Sequence, residues 1–128
     1  MMITKIAPLA TLLAALAMPV LAADGDAAKG EKVFKKCKAC HMVGEGAKNR
    51  TGPMLTGVIG DPAGQNPDFK YSKALLEAAE GGLVWDEASL SEFLTKPKTF
   101  MKGTKMSFPG LKKEADVNNL LAYLETFE

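Results

Sequence analysis

Apolar residues recur at helical spacing along much of this chain, and no run of them alternates in the way a half-buried β-strand does. The first such stretch predicts a helix from Asp26, its N-cap, to about Lys38. Its apolar face is formed by Gly30, Val33, Phe34 and Cys37. Glycine inside a helix costs about 1 kcal/mol relative to alanine. Because Gly30 lies on the apolar face, we expect another helix to approach the backbone closely there.

Three more helices are expected further along, over residues 72–79, 86–95 and 113–127. Asp86 is a natural N-cap for the second of these, and Pro97 prevents that helix from continuing far beyond residue 95. The apolar face of the last helix is formed by Val117, Leu120, Leu121 and Leu124. Since there is no strand pattern and no internal repeat, the sequence predicts an all-α domain of about four short helices with long loops.

Residues 1–23 have the pattern of a targeting segment. Lys5 is their only charged residue, and the apolar stretch 6–20 suits the core of a signal peptide but is short for a membrane-spanning helix. Small residues offer a cleavage site after Ala22 or Ala23. We therefore expect a signal peptide over 1–23, one domain over 24–128 and a periplasmic location, with an uncleaved membrane anchor as the alternative.

The charges nearly balance but are unevenly distributed. The chain has 16 basic and 15 acidic residues, and removal of Lys5 with the signal peptide leaves equal numbers. Net charge near zero argues against nucleic-acid binding as a main task. Between Glu92 and Glu114, however, every charged residue is positive. These residues are Lys96, Lys98, Lys102, Lys105, Lys112 and Lys113.

The reactive side chains are concentrated in Cys37-Lys38-Ala39-Cys40-His41, which contains both cysteines and the single histidine of the chain. A Cys-x-x-Cys-His sequence is the attachment signature of c-type haem, in which two thiols bond to the porphyrin and the histidine ligates the iron. A disulfide, a thioredoxin-like redox pair and half of a zinc site are the alternatives. Zinc usually takes four ligands, and a thioredoxin-like module needs βαβ patterning that this chain lacks.

Residues 42–69 have the composition of one long loop, because six glycines and three prolines interrupt them. A structureless segment of this length is unusual in a compact domain. A large flat prosthetic group would give it something to surround. Its apolar contacts would be Leu55, Val58, Ile59 and Phe69.

A haem used for electron transfer generally has both axial positions filled, and without a second histidine a methionine thioether is the natural second ligand. Four methionines follow the signal peptide. Met42 is adjacent to His41 and cannot reach the opposite face of the ring, and Met54 is expected on the histidine side. Met101 and Met106 remain, both in the lysine-rich segment.

Together these motifs resemble the class I c-type cytochromes. Residues 103–106 (Gly-Thr-Lys-Met), followed by Phe108, are similar to the methionine-ligand loop of that family. The resemblance runs from about residue 25 to the C-terminus and extends to mitochondrial cytochrome c and the small soluble cytochromes c of proteobacteria. It implies one covalent haem c per chain, with Met106 as the second iron ligand and Met101 as a core or pocket-lining residue.

The resemblance also implies polar partners for the haem. Residues 51–53 (Thr-Gly-Pro) match the segment whose proline carbonyl, here that of Pro53, accepts a hydrogen bond from the ligand histidine. Donors to a haem propionate are implied at Tyr71, Trp85 and Thr104.

Three positions depart from the family pattern. Phe93 stands where many relatives have a tyrosine near the methionine sulfur. Asp61 stands where mitochondrial relatives have an arginine near a propionate, and Lys102 where a proline is common. None of these changes removes an iron ligand.

The function that the resemblance implies is a soluble periplasmic one-electron carrier, not an enzyme. A cytochrome bc complex would reduce it, and an oxidase, a photosynthetic reaction centre or a peroxidase would oxidise it. The six lysines between Lys96 and Lys113 would face these membrane partners, and we expect a monomer. Two other interpretations remain open: a haem-based sensor with a labile Met106, and a thiol redox protein without haem.

Overall fold

The computed structural model describes residues 25–128, so the signal peptide expected over 1–23 lies outside the described residues. Five helices follow one another: α1 (Ala27–Phe34), α2 (Lys73–Glu80), α3 (Glu87–Thr95), α4 (Pro97–Phe100) and α5 (Glu114–Glu125). The only β-type pairing within these residues is an isolated antiparallel bridge between Pro62 and Val84. The all-α prediction is therefore confirmed. No helix in this range is long and apolar enough to span a membrane.

Side-chain caps fix where the first three helices begin. Asp26 Oδ1 accepts hydrogen bonds from two backbone N–H groups of α1. Ser72 Oγ accepts one from a backbone N–H of α2, and Asp86 Oδ1 accepts one from a backbone N–H of α3. All four bonds are 2.8–3.1 Å long. Each cap satisfies an N–H group that has no partner inside its helix, which is worth about 1 kcal/mol. The caps expected at Asp26 and Asp86 are confirmed.

Two details of the helices differ from the sequence-based expectation. Helix α1 ends at Phe34 and not near Lys38, because the N–H groups of Lys36 and Cys37 bond to carbonyls three residues back and tighten the chain into turns. Helix α4 was not expected. It is a single turn with Pro97 at its first position, where the fixed φ of proline suits a helix and no N–H is needed.

Helices α1 and α5 cross in close contact. Gly30 is buried, and a Cβ added there would collide with the carbonyl oxygen of Asn119, which confirms the close helix approach expected at this glycine. The Asp26 N–H donates to Asn119 Oδ1 over 2.8 Å. The rings of Phe34 and Tyr123 lie 5.5 Å apart, centroid to centroid. This crossing forms one side of the core.

The buried core joins the helix pair to the segment that follows Val84. Its larger members are Phe34, Trp85, Leu90, Met101, Leu111, Val117, Leu120, Leu121 and Leu124. The long loop packs against this core through Leu55, Val58 and Ile59. Phe69 instead lies against the ring of Tyr71, with the centroids 5.0 Å apart. The loop is thus anchored on the core although it has no helix or strand of its own.

Candidate functional site

The Cys-x-x-Cys-His segment follows α1 as a compact turn. The N–H groups of Cys40 and His41 both donate to the carbonyl of Cys37, over 3.1 and 2.9 Å. The N–H of Gly52 donates to the Cys40 carbonyl over 2.9 Å and attaches the turn to the long loop. Both thiols are free and partly buried. Five consecutive residues therefore present two thiols and an imidazole from one turn.

The loop fixes the orientation of the His41 ring. His41 Nδ1 lies 2.7 Å from the carbonyl oxygen of Pro53. A carbonyl oxygen only accepts, so Nδ1 carries the hydrogen and Nε2 of the neutral ring keeps its lone pair. Burial lowers the pKa of His41, and the hydrogen bond to Pro53 opposes that shift. The ring is also packed against Gly52, where a Cβ would collide with it.

The site gives no support to the zinc and thiol-redox alternatives. Burial raises the pKa of the Cys37 thiol to about 11. Reactive cysteines in disulfide oxidoreductases have lowered pKa values, because the thiolate is the attacking form. Nowhere in residues 25–128 do three His, Cys, Asp or Glu side chains converge in a way that could hold a metal ion. The donor set of two thiols and one imidazole instead suits covalent haem.

The four methionines outside the signal peptide differ in burial. Met101 is 5% exposed and belongs to the core, which confirms the expectation for it, whereas Met54 is 41% exposed. Met42 and Met106 are partly buried. The N–H of Met106 donates to Thr104 Oγ1 over 3.2 Å, so the loop holds the backbone of this methionine in place.

The three expected propionate donors each retain a hydrogen. Tyr71 Oη accepts from the Asn66 N–H over 2.9 Å, and Thr104 Oγ1 accepts from the backbone, so both hydroxyl hydrogens are left to donate. Trp85 is 7% exposed and its ring centroid lies 5.0 Å from that of Phe93. The Trp85 indole N–H can only donate. These groups suit a ligand that carries carboxylates.

Comparison with known proteins identifies the family. A family model described as cytochrome c matches residues 27–128. The chain belongs to the cytochrome c family. Cytochrome c2 from Afifella marina is 52% identical over 101 residues, which cover 79% of this chain and 82% of that protein.

Solved structures agree with this cytochrome fold. Cytochrome c2 from Rhodospirillum centenum superposes with a TM-score of 0.77 and 43% sequence identity. The matched region covers 80% of this chain and 98% of the cytochrome c2 chain. Cytochrome cH from Methylobacterium extorquens superposes with a TM-score of 0.73 and 46% sequence identity. The matched region covers 80% of this chain and 99% of the cytochrome cH chain. The class I cytochrome c fold is therefore confirmed.

Membership of the cytochrome c family makes this protein an electron carrier and not an enzyme. Its cofactor is haem c, attached covalently through the thiols of Cys37 and Cys40. The structure fits that group, because one turn presents the two free thiols together with the His41 ring, whose Nε2 keeps its lone pair.

The surface of this cytochrome carries a group of six exposed lysines, which we call the lysine cluster: Lys96, Lys98, Lys102, Lys105, Lys112 and Lys113. None of them forms an ion pair with another described residue, since the one pair found in residues 25–128 joins Lys73 and Glu77 at 3.8 Å. Asp61 is exposed as well, with its carbonyl accepting the Trp85 N–H over 2.8 Å.

Sequence reasoning missed two polar residues beside the site, Asn49 and Asn66. Asn49 Oδ1 accepts hydrogen bonds from the Met54 N–H over 3.0 Å and from Asn66 Nδ2 over 2.7 Å. Asparagine is common in turns and has no periodicity there, so the sequence gives no signal that these two side chains meet.

Proposed function

We propose that this cytochrome is a soluble periplasmic carrier of single electrons, with His41 and Met106 as its two iron ligands. The observation that carries the proposal is the 2.7 Å hydrogen bond between His41 Nδ1 and the Pro53 carbonyl oxygen. Such a bond fixes the tautomer and orientation of a ligand histidine and raises its basicity. Because Nδ1 is engaged, Nε2 is the nitrogen left for iron.

Met106 is the methionine best suited to be the second ligand. Met101 is committed to the core, and Met54 directly follows the proline that bonds to His41, so it belongs to the histidine side. Met106 is partly buried in the loop between α4 and α5, and the Thr104 hydroxyl orients its backbone. A soft thioether ligand favours ferrous iron and raises the reduction potential.

When bound, haem c supplies an iron that takes up and releases one electron. The task of the chain would be to supply His41 and Met106 as iron ligands, so that small ligands would find no open position. A second task is to neutralise the polar edge of the group by hydrogen bonding. Tyr71, Trp85 and Thr104 have the hydrogens for this, and hydrogen-bond donors reduce the cost of bringing a carboxylate near the core.

The setting that we propose is the periplasm, after removal of residues 1–23, with the protein acting as a monomer. A cytochrome bc complex would be the electron donor, and an oxidase, a photosynthetic reaction centre or a peroxidase the acceptor. Support comes from the targeting pattern of residues 1–23 and from the exposed lysine cluster. Unpaired positive charge steers a carrier toward acidic partners.

The experiment is expression with a c-type haem maturation system, followed by denaturing mass spectrometry and absorption spectroscopy. We expect the chain without residues 1–23 plus one haem mass, a sharp reduced α-band and a methionine-to-iron charge-transfer band. Binding of carbon monoxide at neutral pH would instead support a sensor with a labile Met106. A protein with no Soret band would contradict the haem assignment itself.

A further inference from the structure

A chain of hydrogen bonds connects the His41 imidazole with a side chain on the far side of the Pro53–Met54 peptide. The carbonyl that bonds to His41 and the N–H that bonds to Asn49 belong to the same peptide group. That group is planar and rigid, so its C=O and N–H point in opposite, fixed directions. Whatever holds the N–H therefore also aims the carbonyl at the histidine.

Asn49 is itself held in place by Asn66. Asn66 Nδ2 donates to Asn49 Oδ1 over 2.7 Å, while Asn66 Oδ1 accepts from the Asp68 N–H over 3.0 Å. The Met54 and Asp68 N–H groups each need an oxygen acceptor. The Oδ1 and Nδ2 atoms of Asn49 and Asn66 can therefore be assigned in only one way. The Asn66 N–H continues the chain to Tyr71 Oη over 2.9 Å. Two stretches of the long loop are thereby connected.

We propose that Asn49 and Asn66 are positioning residues that set the strength of the His41–Pro53 hydrogen bond and, through it, the reduction potential. The inference rests on the proposed function, since it takes His41 as an iron ligand. Connected hydrogen bonds polarise one another, so a carbonyl whose peptide N–H is bonded is a better acceptor. A stronger bond makes the imidazole more basic, and a more basic ligand favours ferric iron.

The exposure of Met54 makes it possible to distinguish positioning of the Pro53 carbonyl from simple stabilisation of the loop. Met54 is 41% exposed, so water can replace Asn49 as the acceptor for its N–H, and the loss of stability in an Asn49 variant is expected to be small. A mobile water does not hold the peptide in one direction. The potential should therefore respond more clearly than the stability does.

The test uses Asn49→Ala in the haem-loaded protein. In the reduced, diamagnetic state, NMR should show the His41 Nδ1–H resonance moved upfield, with hydrogen exchange about two- to tenfold faster, the range that one hydrogen bond gives. Voltammetry should show a higher reduction potential. Asn49→Asp keeps an acceptor oxygen and adds negative charge, so it should retain the Nδ1–H resonance and lower the potential.

Two further variants complete the design. Asn66→Ala removes the hydrogen bond that holds Asn49. It should shift the His41 Nδ1–H resonance and the reduction potential in the same direction as Asn49→Ala, but by smaller amounts. It also provides the test if Asn49→Ala does not fold. Asn119→Ala is the matched control, because it removes a similar bond, 2.8 Å long to the Asp26 N–H, from the helix pair. It should lower stability and leave both readouts unchanged.

The inference is wrong if Asn49→Ala and Asn66→Ala lower stability but keep the wild-type Nδ1–H resonance and potential. That result would leave the two asparagines as braces of the loop. Failure of the proposed function looks different, because the wild-type protein would then lack the haem mass or the methionine-to-iron band.

Discussion

The helix pair α1–α5 satisfies its backbone with regular hydrogen bonds, and the long loop over residues 42–69 does so with irregular ones. In the helix pair, regular hydrogen bonds leave faces that pack tightly: Leu120 and Leu121 are each 1% exposed, and Gly30 lies against the Asn119 backbone. In the loop, irregular hydrogen bonds between backbone groups are joined by single side-chain bonds, as when Thr56 Oγ1 accepts from the Gly44 N–H over 2.9 Å. The first arrangement depends on repeated spacing, and the second depends on single residues.

This difference explains where the chemistry is. The helix pair holds its residues in one packed geometry, whereas the loop brings a carbonyl to His41. The loop is also attached to the residues that follow α5, since the Gly57 N–H donates to the Phe127 carbonyl over 2.6 Å. Changes in the helix pair should therefore affect stability, and changes in the loops should affect the iron.

The largest effect is expected from Gly30→Ala in the helix pair. Its Cβ would collide with backbone, which cannot move aside like the end of a side chain, so we expect a loss of about 2–3 kcal/mol of unfolding free energy. Gly81→Ala is the control, because its φ is −73° and the nearest atom lies 3.4 Å from the added Cβ. It should change stability by less than about 1 kcal/mol. Equal effects in denaturant titrations would mean that the helix crossing is not tight.

A large effect on the iron is expected from Met106→Leu. Loss of the thioether should remove the charge-transfer band, admit carbon monoxide and lower the potential by on the order of 100 mV, within the ~0.8 V span that axial ligands control. Met101→Leu keeps the size of a buried side chain and should cost less than about 1.5 kcal/mol, with the band intact. If Met101→Leu abolishes the band, Met106 is the wrong methionine.

The two regions also differ in how far sequence could predict them. The N-caps at Asp26 and Asp86 and the close approach at Gly30 were predicted because capping and apolar spacing are local properties. The end of α1 at Phe34 was placed wrongly and α4 was missed, because the i→i−3 bonds and short turns there have no periodic signal.

For the candidate site, the Cys-x-x-Cys-His turn was readable from sequence because its residues are adjacent. Spacing alone could not choose between Met101 and Met106. Burial in the structure places Met101 in the core, a contact that depends on residues far away in the chain. The pairing of Asn49 with Asn66 could not be predicted either, since it depends on how an irregular loop closes.

Charge reversal in the lysine cluster should have a smaller effect, on the rate of electron transfer, and this effect should depend on the salt concentration. Lys102→Glu and Lys105→Glu should slow electron transfer to a membrane oxidase several-fold at low salt, because steering acts within a Debye length of about 8–10 Å. Lys29→Glu makes the same charge change at an exposed position on α1 and should slow it less. Rates that do not depend on salt, or equal slowing by Lys29→Glu, would remove the lysine cluster from the docking surface.

The smallest effect is expected at Asp61, which tests how far the loop controls the iron by charge alone. Its side chain is exposed and forms no ion pair with a described residue, and Arg50 Nη1 donates instead to the Lys38 carbonyl over 3.2 Å. Arg50 therefore forms no ion pair with this acid. Negative charge near the iron favours the ferric state, which has one more positive charge, so Asp61 should lower the potential.

Asp61→Arg changes the charge by two units and should raise the potential. At about 10 Å and an effective dielectric constant of roughly 40, Coulomb's law gives about 1–2 kcal/mol, and exposure to water moves the value toward the lower end. For a one-electron couple, 59 mV corresponds to about 1.4 kcal/mol, so we expect a rise of some tens of millivolts. Asp61→Asn should give about half of it. Protein-film voltammetry that shows no change in either variant would mean that Asp61 is screened from the iron by solvent.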